Sequence, residues 1–394
     1  MKRQSDAPGV NRRDFLAASS ALPLAAAALT PAPARAARRA QRSRQDPIRV
    51  GLIGAGANVR NVQIPGFRRM PECEILAVAN RSLESSQRVA DQFGIPRAYS
   101  HWGELLEDDD VDAVLIGTWP YMHRTLTLAT LESGKHVLCQ GRMANTAGEA
   151  REMLEASKRY PDLVSQLVPT STSYRLDNVL KGLINEGYIG EVLSVELQRL
   201  QTGDRTGPQG FADTGGELGW RHSFEFSGYN ALNIGSTYES MMRWMGPGDR
   251  VMAMTKIHVP YRRGPDGLMT SVAIPDHIDV LYELANKAQV HLRFSATTGM
   301  SNGNQTWIYG TEGTIHVDRD QTIYAGRRGD AGLSEVPNPT EEQAYYRVEE
   351  EFINAILGIE EVTMATFETG VRYMDFVEAV YRSAQSGEAI YLPT

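Results

Sequence analysis

The sequence predicts an α/β protein whose first half folds as a doubly wound parallel sheet, and three observations carry that expectation. A short apolar run, Ile48–Ile53, ends in a glycine turn, Gly54-Ala55-Gly56. The chain then reads helical to Met70 and returns to a second apolar run, Glu74–Ala79. Beyond that point helix-like and strand-like segments keep alternating, a spacing that gives parallel strands with crossover helices. In order, Ser82–Phe93 reads as a helix, Val111–Gly117 as a buried strand, Tyr121–Ser133 as a helix and His136–Gln140 as another strand. This domain is placed at residues 47–166.

The second half, 167–394, reads mixed. Asp177–Glu186 reads as a helix and Glu191–Leu200 as a strand, while Gln201–Leu218, rich in Gly and polar residues, reads as a loop over the pocket. Val280–Glu283, Val290–Ser295, Thr306–Tyr309 and Thr314–Val317 read as strands between turn residues. Gln343–Leu357 and Phe367–Ser386 read as closing helices.

A length of 394 residues suits two or three domains, and 42% hydrophobic with 22% charged residues is an ordinary globular mix. The net charge of −8 hides an asymmetry. Residues 1–36 hold five basic and two acidic side chains, a net of +3 that leaves −11 on the remainder. So acidic a body repels phosphate backbones and anionic lipid, which argues against nucleic-acid and membrane-surface partners. The basic end reads as a twin-arginine signal peptide over 1–36: Asn11-Arg12-Arg13-Asp14-Phe15-Leu16 precedes an Ala-rich stretch that closes at Ala34-Arg35-Ala36. Pro23, Pro31 and Pro33 interrupt that stretch and disfavour a membrane anchor. Residues 37–46, with Arg38, Arg39, Arg42 and Arg44, read as a basic flexible lead-in. The expectation is a periplasmic or extracellular protein that meets the twin-arginine translocase during export, already folded around its cofactor, and that is not inserted in a membrane after cleavage. Two cysteines, Cys73 and Cys139, make no disulfide framework, and the eight histidines lack ligand spacing, so no metal is expected.

The strand, glycine turn, helix, strand order is the context a dinucleotide fingerprint requires. Gly54 permits the tight turn, Gly56 lets the backbone approach a pyrophosphate, and Ala57 and Asn58 open the helix whose amides meet its charge. Val59 stands where a third glycine is usual. At the end of the second strand, where a carboxylate would accept ribose hydroxyls, the chain has Asn80-Arg81-Ser82, which favours NADP(H), with NAD(H) second. Ligands of such sheets lie beyond the strands' carboxyl ends, here Thr118-Trp119-Pro120 and Gln140-Gly141-Arg142.

From Ile48 to Pro393 the chain resembles the glucose–fructose oxidoreductase, inositol dehydrogenase and rhizopine-catabolism (Gfo/Idh/MocA) family. The carriers include Gly54-x-Gly56, Ala79-Asn80-Arg81-Ser82, Trp119-Pro120-x-x-His123, Gly134-Lys135-His136-Val137, Gly187-Tyr188-Ile189-Gly190-Glu191, Trp220-Arg221 and Tyr309-Gly310-Thr311-Glu312-Gly313. The resemblance implies a Rossmann domain followed by an α/β domain with a large, mostly antiparallel open sheet, whose open face makes a homo-oligomer contact. It also implies hydride transfer between NAD(P) and a sugar or polyol, with His123 at the pocket edge.

Two departures concern the proton. Where the family carries a catalytic lysine after the strand that ends at Gln140, this chain has Gly141. Arg142 beside it would point to the other side of a strand, cannot act as a base, and without proline gives no reason to expect a cis peptide. Where the family places Asp-x-x-x-His on a helix, this chain has Asn233 and Thr237, one turn apart and unable to titrate near neutrality. His222 is the other catalytic candidate. Tyr238 is expected to face elsewhere, and Tyr174 and Arg175 to serve packing or surface contacts. The expectation is thus an exported oxidoreductase-like protein with an atypical site. Its alternatives are NAD(P)-assisted glycoside cleavage without net redox, or a non-catalytic sugar- or nucleotide-binding protein.

Overall fold

A computed structural model describes residues 46–169, 173–200, 216–229 and 231–393. Residues 1–36, read above as an export signal, the segment from 37 to 45 and residues 201–215 lie outside the described residues.

The first domain opens with β1 (Ile48–Ile53), a π-turn at Val59–Gln63 running into α1 (Ile64–Phe67), and β2 (Cys73–Ala79). Next come α2 (Leu83–Phe93), β3 (Arg97–Tyr99), α3 (Trp102–Glu107) and β4 (Ala113–Ile116). Then come α4 (His123–Glu132), β5 (His136–Gln140), α5 (Ala147–Arg159) and β6 (Ser165–Val168). The sheet is wholly parallel in the order β3-β2-β1-β4-β5-β6. Its last strand ends at Val168, two residues past the expected boundary. β4 and β5 are buried along their whole length, as strands covered on both faces must be. The register aligns the strand ends: Ile53 lies beside Ala79 on one side and Ile116 on the other. Gly54, Asn80 and Gly117 therefore leave the sheet together at its carboxyl edge.

The second domain contributes α6 (Tyr174–Asn185), β7 (Val192–Leu200), α7 (Phe224–Ser227), α8 (Ile234–Met245) and β8 (Gly248–Lys256). β9 (Tyr261–Arg263) and β10 (Met269–Ser271) form a separate hairpin. β11 (His277–Leu284), β12 (Gln289–Ser295), β13 (Gln305–Gly310), β14 (Gly313–Val317), β15 (Ile323–Arg327) and β16 (Ser334–Glu335) continue the main sheet. α9 (Val348–Ile356), α10 (Phe367–Ser386) and β17 (Ile390–Tyr391) close the chain. The nine-stranded sheet runs β16-β15-β14-β13-β7-β12-β11-β8-β17 and is antiparallel except between β7 and β12. Alternation in β11 and β12 turns Ile278, Val280, Tyr282, Val290, Leu292 and Phe294 inward. α8 is anchored by its last turn, where Asp177 of α6 accepts from Arg243 Nε at 2.8 Å and from Trp244 Nε1 at 2.7 Å.

The closing helices tie the two domains together. Val348, Phe352 and Ile353 of α9 are fully buried in the first domain's core with Ile64 and Phe67 of α1. α9 begins later than expected, because residues from 343 to 347 run irregularly before Val348 enters that core.

Glu349 shares this contact, packed so closely that a Cβ on Gly66 would stand 2.7 Å from its Cδ. Its Oε1 is buried without a hydrogen-bond partner among the described residues. Burial pushes the carboxyl up to about 7, against smaller opposing effects of Arg69 and Gln63. A carboxyl raised in the fold binds more protons folded than unfolded, so stability declines as pH rises from the ordinary carboxylate range through 7. Glu349→Gln should remove that slope and exceed wild-type stability by about 3 kcal/mol at pH 8, with little difference at pH 4. Urea denaturation at the two pH values checks this; parallel profiles would overturn it.

Candidate active site

The glycine turn is built as a nucleotide cradle. Gly54 has φ of +85°, and a Cβ there would lie 2.8 Å from Thr118 N. A Cβ at Gly56 would meet nothing nearer than Gly117 O at 3.8 Å, so the turn stays open above that glycine. Ala57 and Asn58 are exposed beside it. Val59 is buried where a third glycine is usual, and Gly117 makes the room: a Cβ there would fall 2.2 Å from Val59 Cγ2. The glycine that allows close packing has moved from helix to strand end. Thr118 Oγ1 and Arg60 Nε are buried without a hydrogen-bond partner among the described residues. Two idle polar atoms beside an open glycine turn fit a dinucleotide.

Asn80 braces the turn rather than projecting from it. Its Oδ1 accepts from Ala55 N at 2.8 Å, and its Nδ2 donates to Ser85 O at 3.1 Å. Ser82 caps α2, accepting from Ser85 N at 3.2 Å. Arg81 is exposed. A cavity of about 460 Å³ opens against this edge and is lined by Arg60, Arg88, Asn80 and Ser85, but not by Arg81. Gln140 is buried, its amide spent on Asn58 Nδ2 and Gln63 Oε1, both at 2.8 Å. It supports the cradle from behind.

His123, expected at the pocket edge, is buried. Nδ1 lies 2.9 Å from Arg142 O, and Nε2 lies 3.0 Å from Thr118 O. Burial pushes its pKa down. The neutral ring has one N–H, which it donates to one of these two loop carbonyls. Pro120 is buried and opens the turn before α4.

The peptide bond between Gly141 and Arg142 is cis, against the expectation drawn from the absent proline. β5 ends at Gln140, so strand alternation does not govern the residues after it. The Arg142 side chain reaches the second domain, donating from Nη1 to Ser227 O at 3.1 Å and to Ser227 Oγ. It lies 5.8 Å from the Trp220 ring. Burial and then Arg221 push its pKa down to about 10, and it remains a cation at neutral pH. The same crossing is pinned by Asn145 Nδ2, which donates to Glu225 O at 2.8 Å, and by Gly228, whose Cβ would strike Asn145 O.

Aromatic rings face one another over this crossing. Trp119, at the end of β4, stacks on Trp220 at 5.8 Å with 14° between planes. Phe226 packs against Trp119 at 5.2 Å and Tyr121 at 5.6 Å. Arg221 lies 4.2 Å over the Trp220 ring. Trp119 remains 45% exposed, so a wide apolar face meets solvent beside two guanidinium groups. Sequence reasoning did not foresee the partnership of Trp119 with Trp220 and Phe226, or the Ser227 contact. The dipeptides Trp119-Pro120 and Trp220-Arg221 were the available signals.

Asn233 is not a helical residue. It is the exposed N-cap of α8 in the left-handed region, φ +60°, directly after Leu232 at φ +49°. Thr237 is buried one turn later, its N–H donating to Asn233 O at 3.0 Å. The expected shared face is lost because the helix begins at Ile234. His222 Nδ1 accepts from Gly219 N at 2.9 Å, and burial with Arg262 and Arg221 holds its pKa down. Tyr238 faces the core, stacked on Phe376 at 3.8 Å. Tyr174 donates to Met364 O at 3.0 Å, and Arg175 makes surface contacts with Gln321 and Asp320.

Residues 48–166 match the sequence model described as an oxidoreductase family with an NAD-binding Rossmann fold, and residues 178–316 match the GFO/IDH/MocA C-terminal domain. Levoglucosan dehydrogenase of Pseudarthrobacter phenanthrenivorans is 27% identical over 293 residues, 68% of this chain and 73% of that protein. A trans-1,2-dihydrobenzene-1,2-diol dehydrogenase of Xenopus laevis is 25% identical over 62% of this chain and 67% of its own length. Among solved structures, levoglucosan dehydrogenase in complex with NADH and L-sorbose superposes with a TM-score of 0.75 at 22% identity, covering 88% of this chain and 99% of that one.

Proposed function

Because the chain belongs to the Gfo/Idh/MocA oxidoreductase family, we propose that it is a nicotinamide-dependent oxidoreductase acting on a sugar or polyol at the crossing between its domains, with NADP(H) preferred. The observation that carries this reading is the Trp119–Trp220 platform beside Arg142 and Arg221. Aromatic faces suit the C–H faces of sugar rings, while convergent charged donors suit hydroxyl and carbonyl oxygens. The levoglucosan dehydrogenase similarity agrees with a sugar ligand.

Gly54, Gly56, Ala57, Asn58 and Thr118 would hold the nucleotide, which when bound supplies or accepts hydride. Arg142, a permanent cation, donates to a substrate oxygen and stabilises negative charge that develops there; it removes no proton. Thr237 and Asn233 do not titrate near neutrality, and burial holds the pKa of His222 below its ordinary value. Hydride transfer to a carbonyl at this site would leave an alkoxide held by Arg142, with its proton taken from solvent, and oxidation of the alcohol would return that proton by the same route. NADP(H) preference is read from the end of β2, where Asn80 stands in place of the carboxylate that would select NAD(H).

The reading includes twin-arginine export to the periplasm or beyond, based on Asn11-Arg12-Arg13 and the Ala-rich run after it. It also includes self-association through the open sheet face, where Leu193, Met252, Met254 and Leu281 are exposed.

The test is to assay purified protein for nucleotide binding, then for turnover in both directions with a panel of sugars and polyols. A protein that binds no nicotinamide dinucleotide would overturn the reading. Trp220→Ala should raise KM for the sugar found by about tenfold while kcat stays within about threefold. An unchanged KM would remove the platform from the site.

A further inference from the structure

The cavity beside the ends of β1 and β2 does not hold its cations where the end of β2 alone would put them. We propose that Arg60 and Arg88, rather than Arg81, clamp a phosphate on the adenosine ribose and thereby set the preference for a 2′-phosphorylated dinucleotide; this rests on the NADP(H) reading above.

The cavity, about 460 Å³, falls in the range of small-molecule sites and lies where the parallel sheet presents its carboxyl edge. Arg60, on the π-turn after the glycines, lines it from one side; Arg88, one turn beyond Ser85 on α2, lines it from the other. Arg60 Nε is buried with no hydrogen-bond partner among the described residues, a donor that a ligand oxygen would complete. Arg88 pairs with Glu84, but those side chains are 64% and 83% exposed. Such an i,i+4 surface pair is weak and yields readily to a phosphate dianion. Ser85 adds a hydroxyl to the lining, and no Asp or Glu is among the lining residues. An unphosphorylated ribose would find no carboxylate acceptor in that lining. Arg81 is exposed and outside the lining.

Calorimetric titration of the full chain with 2′,5′-ADP and 5′-AMP, which differ only in the phosphate concerned, tests the assignment without any turnover. Wild type should bind 2′,5′-ADP at least about tenfold more tightly than 5′-AMP. Arg60→Ala and Arg88→Ala should each lose about tenfold in affinity for 2′,5′-ADP while 5′-AMP shifts less than about threefold. Arg81→Ala should change neither. Arg88 is exposed, so its variant keeps the test decisive if Arg60→Ala folds poorly. Loss confined to Arg81→Ala would overturn the clamp and leave the NADP(H) reading standing. Equal wild-type affinity for the two fragments would overturn both.

Discussion

Gly117→Ala is expected to abolish nucleotide binding and to cost about 3 kcal/mol of stability, the upper end of what overpacking exacts. The added Cβ would stand 2.2 Å from Val59 Cγ2 and 2.5 Å from Gly54 O. Both atoms belong to the segment that forms the cradle, so the strain falls on the turn itself. The two contacts differ in how far they can give. Val59→Ala in the Gly117→Ala background removes the side-chain clash and leaves the carbonyl clash, so stability should recover only in part. Urea denaturation reads the loss of stability and NADPH fluorescence titration the loss of binding. A Gly117→Ala protein with wild-type midpoint and affinity would show that the turn has room to spare.

Arg142→Met should separate stability from function. The guanidinium is largely withdrawn from water, and its partners are Ser227 and the Trp220 ring, with the cation Arg221 nearby. Replacing it with an apolar side chain of similar reach gives up those contacts and also relieves the cost of keeping the charge there. These effects oppose each other, and stability should stay within about 1 kcal/mol of wild type. kcat/KM on the sugar should fall at least about a hundredfold, the scale of losing one preorganised donor at a developing charge. Arg142→Lys should recover little, since an ammonium cannot reproduce the planar fork. Large destabilisation would make Arg142 a structural clamp between domains; undiminished turnover would remove it from the site.

The first domain was legible where its pattern is local. The glycine turn, the buried runs at Val114–Ile116 and Val137–Cys139, and the alternation of elements need only neighbouring residues to be read. β3, α3 and β6 escaped because elements of three to six residues leave little periodicity, and α5, thirteen residues long, escaped because its buried face of Ala147, Ala150, Met153 and Ala156 carries little large apolar side chain. The second domain's inner strands were found shorter than they are: β11 extends to His277 and Leu284. There hydrogen bonding to both neighbours carries the strand past its most apolar residues.

The site was harder to read. Asn233 and Thr237 keep helical spacing in sequence, yet two successive left-handed residues start the helix after Asn233. Arg81 looked like the cation for a phosphate because it comes after the strand, but the cavity is lined by Arg60 and Arg88. The family resemblance placed His123 at the pocket edge, but the residue is buried with its ring nitrogens facing two loop carbonyls.

The sequence by itself determined the family, the doubly wound sheet, the cradle and the absence of a titrating pair at 233 and 237, since each depends on residue type or on neighbours along the chain. Only the tertiary structure decided that Gly117 makes room for Val59, that Trp119 meets Trp220, that Arg142 crosses to Ser227, and which cations line the cavity beside the ends of β1 and β2. Those contacts join segments far apart in the chain, where position is set by how the sheets and helices pack and no local pattern records it.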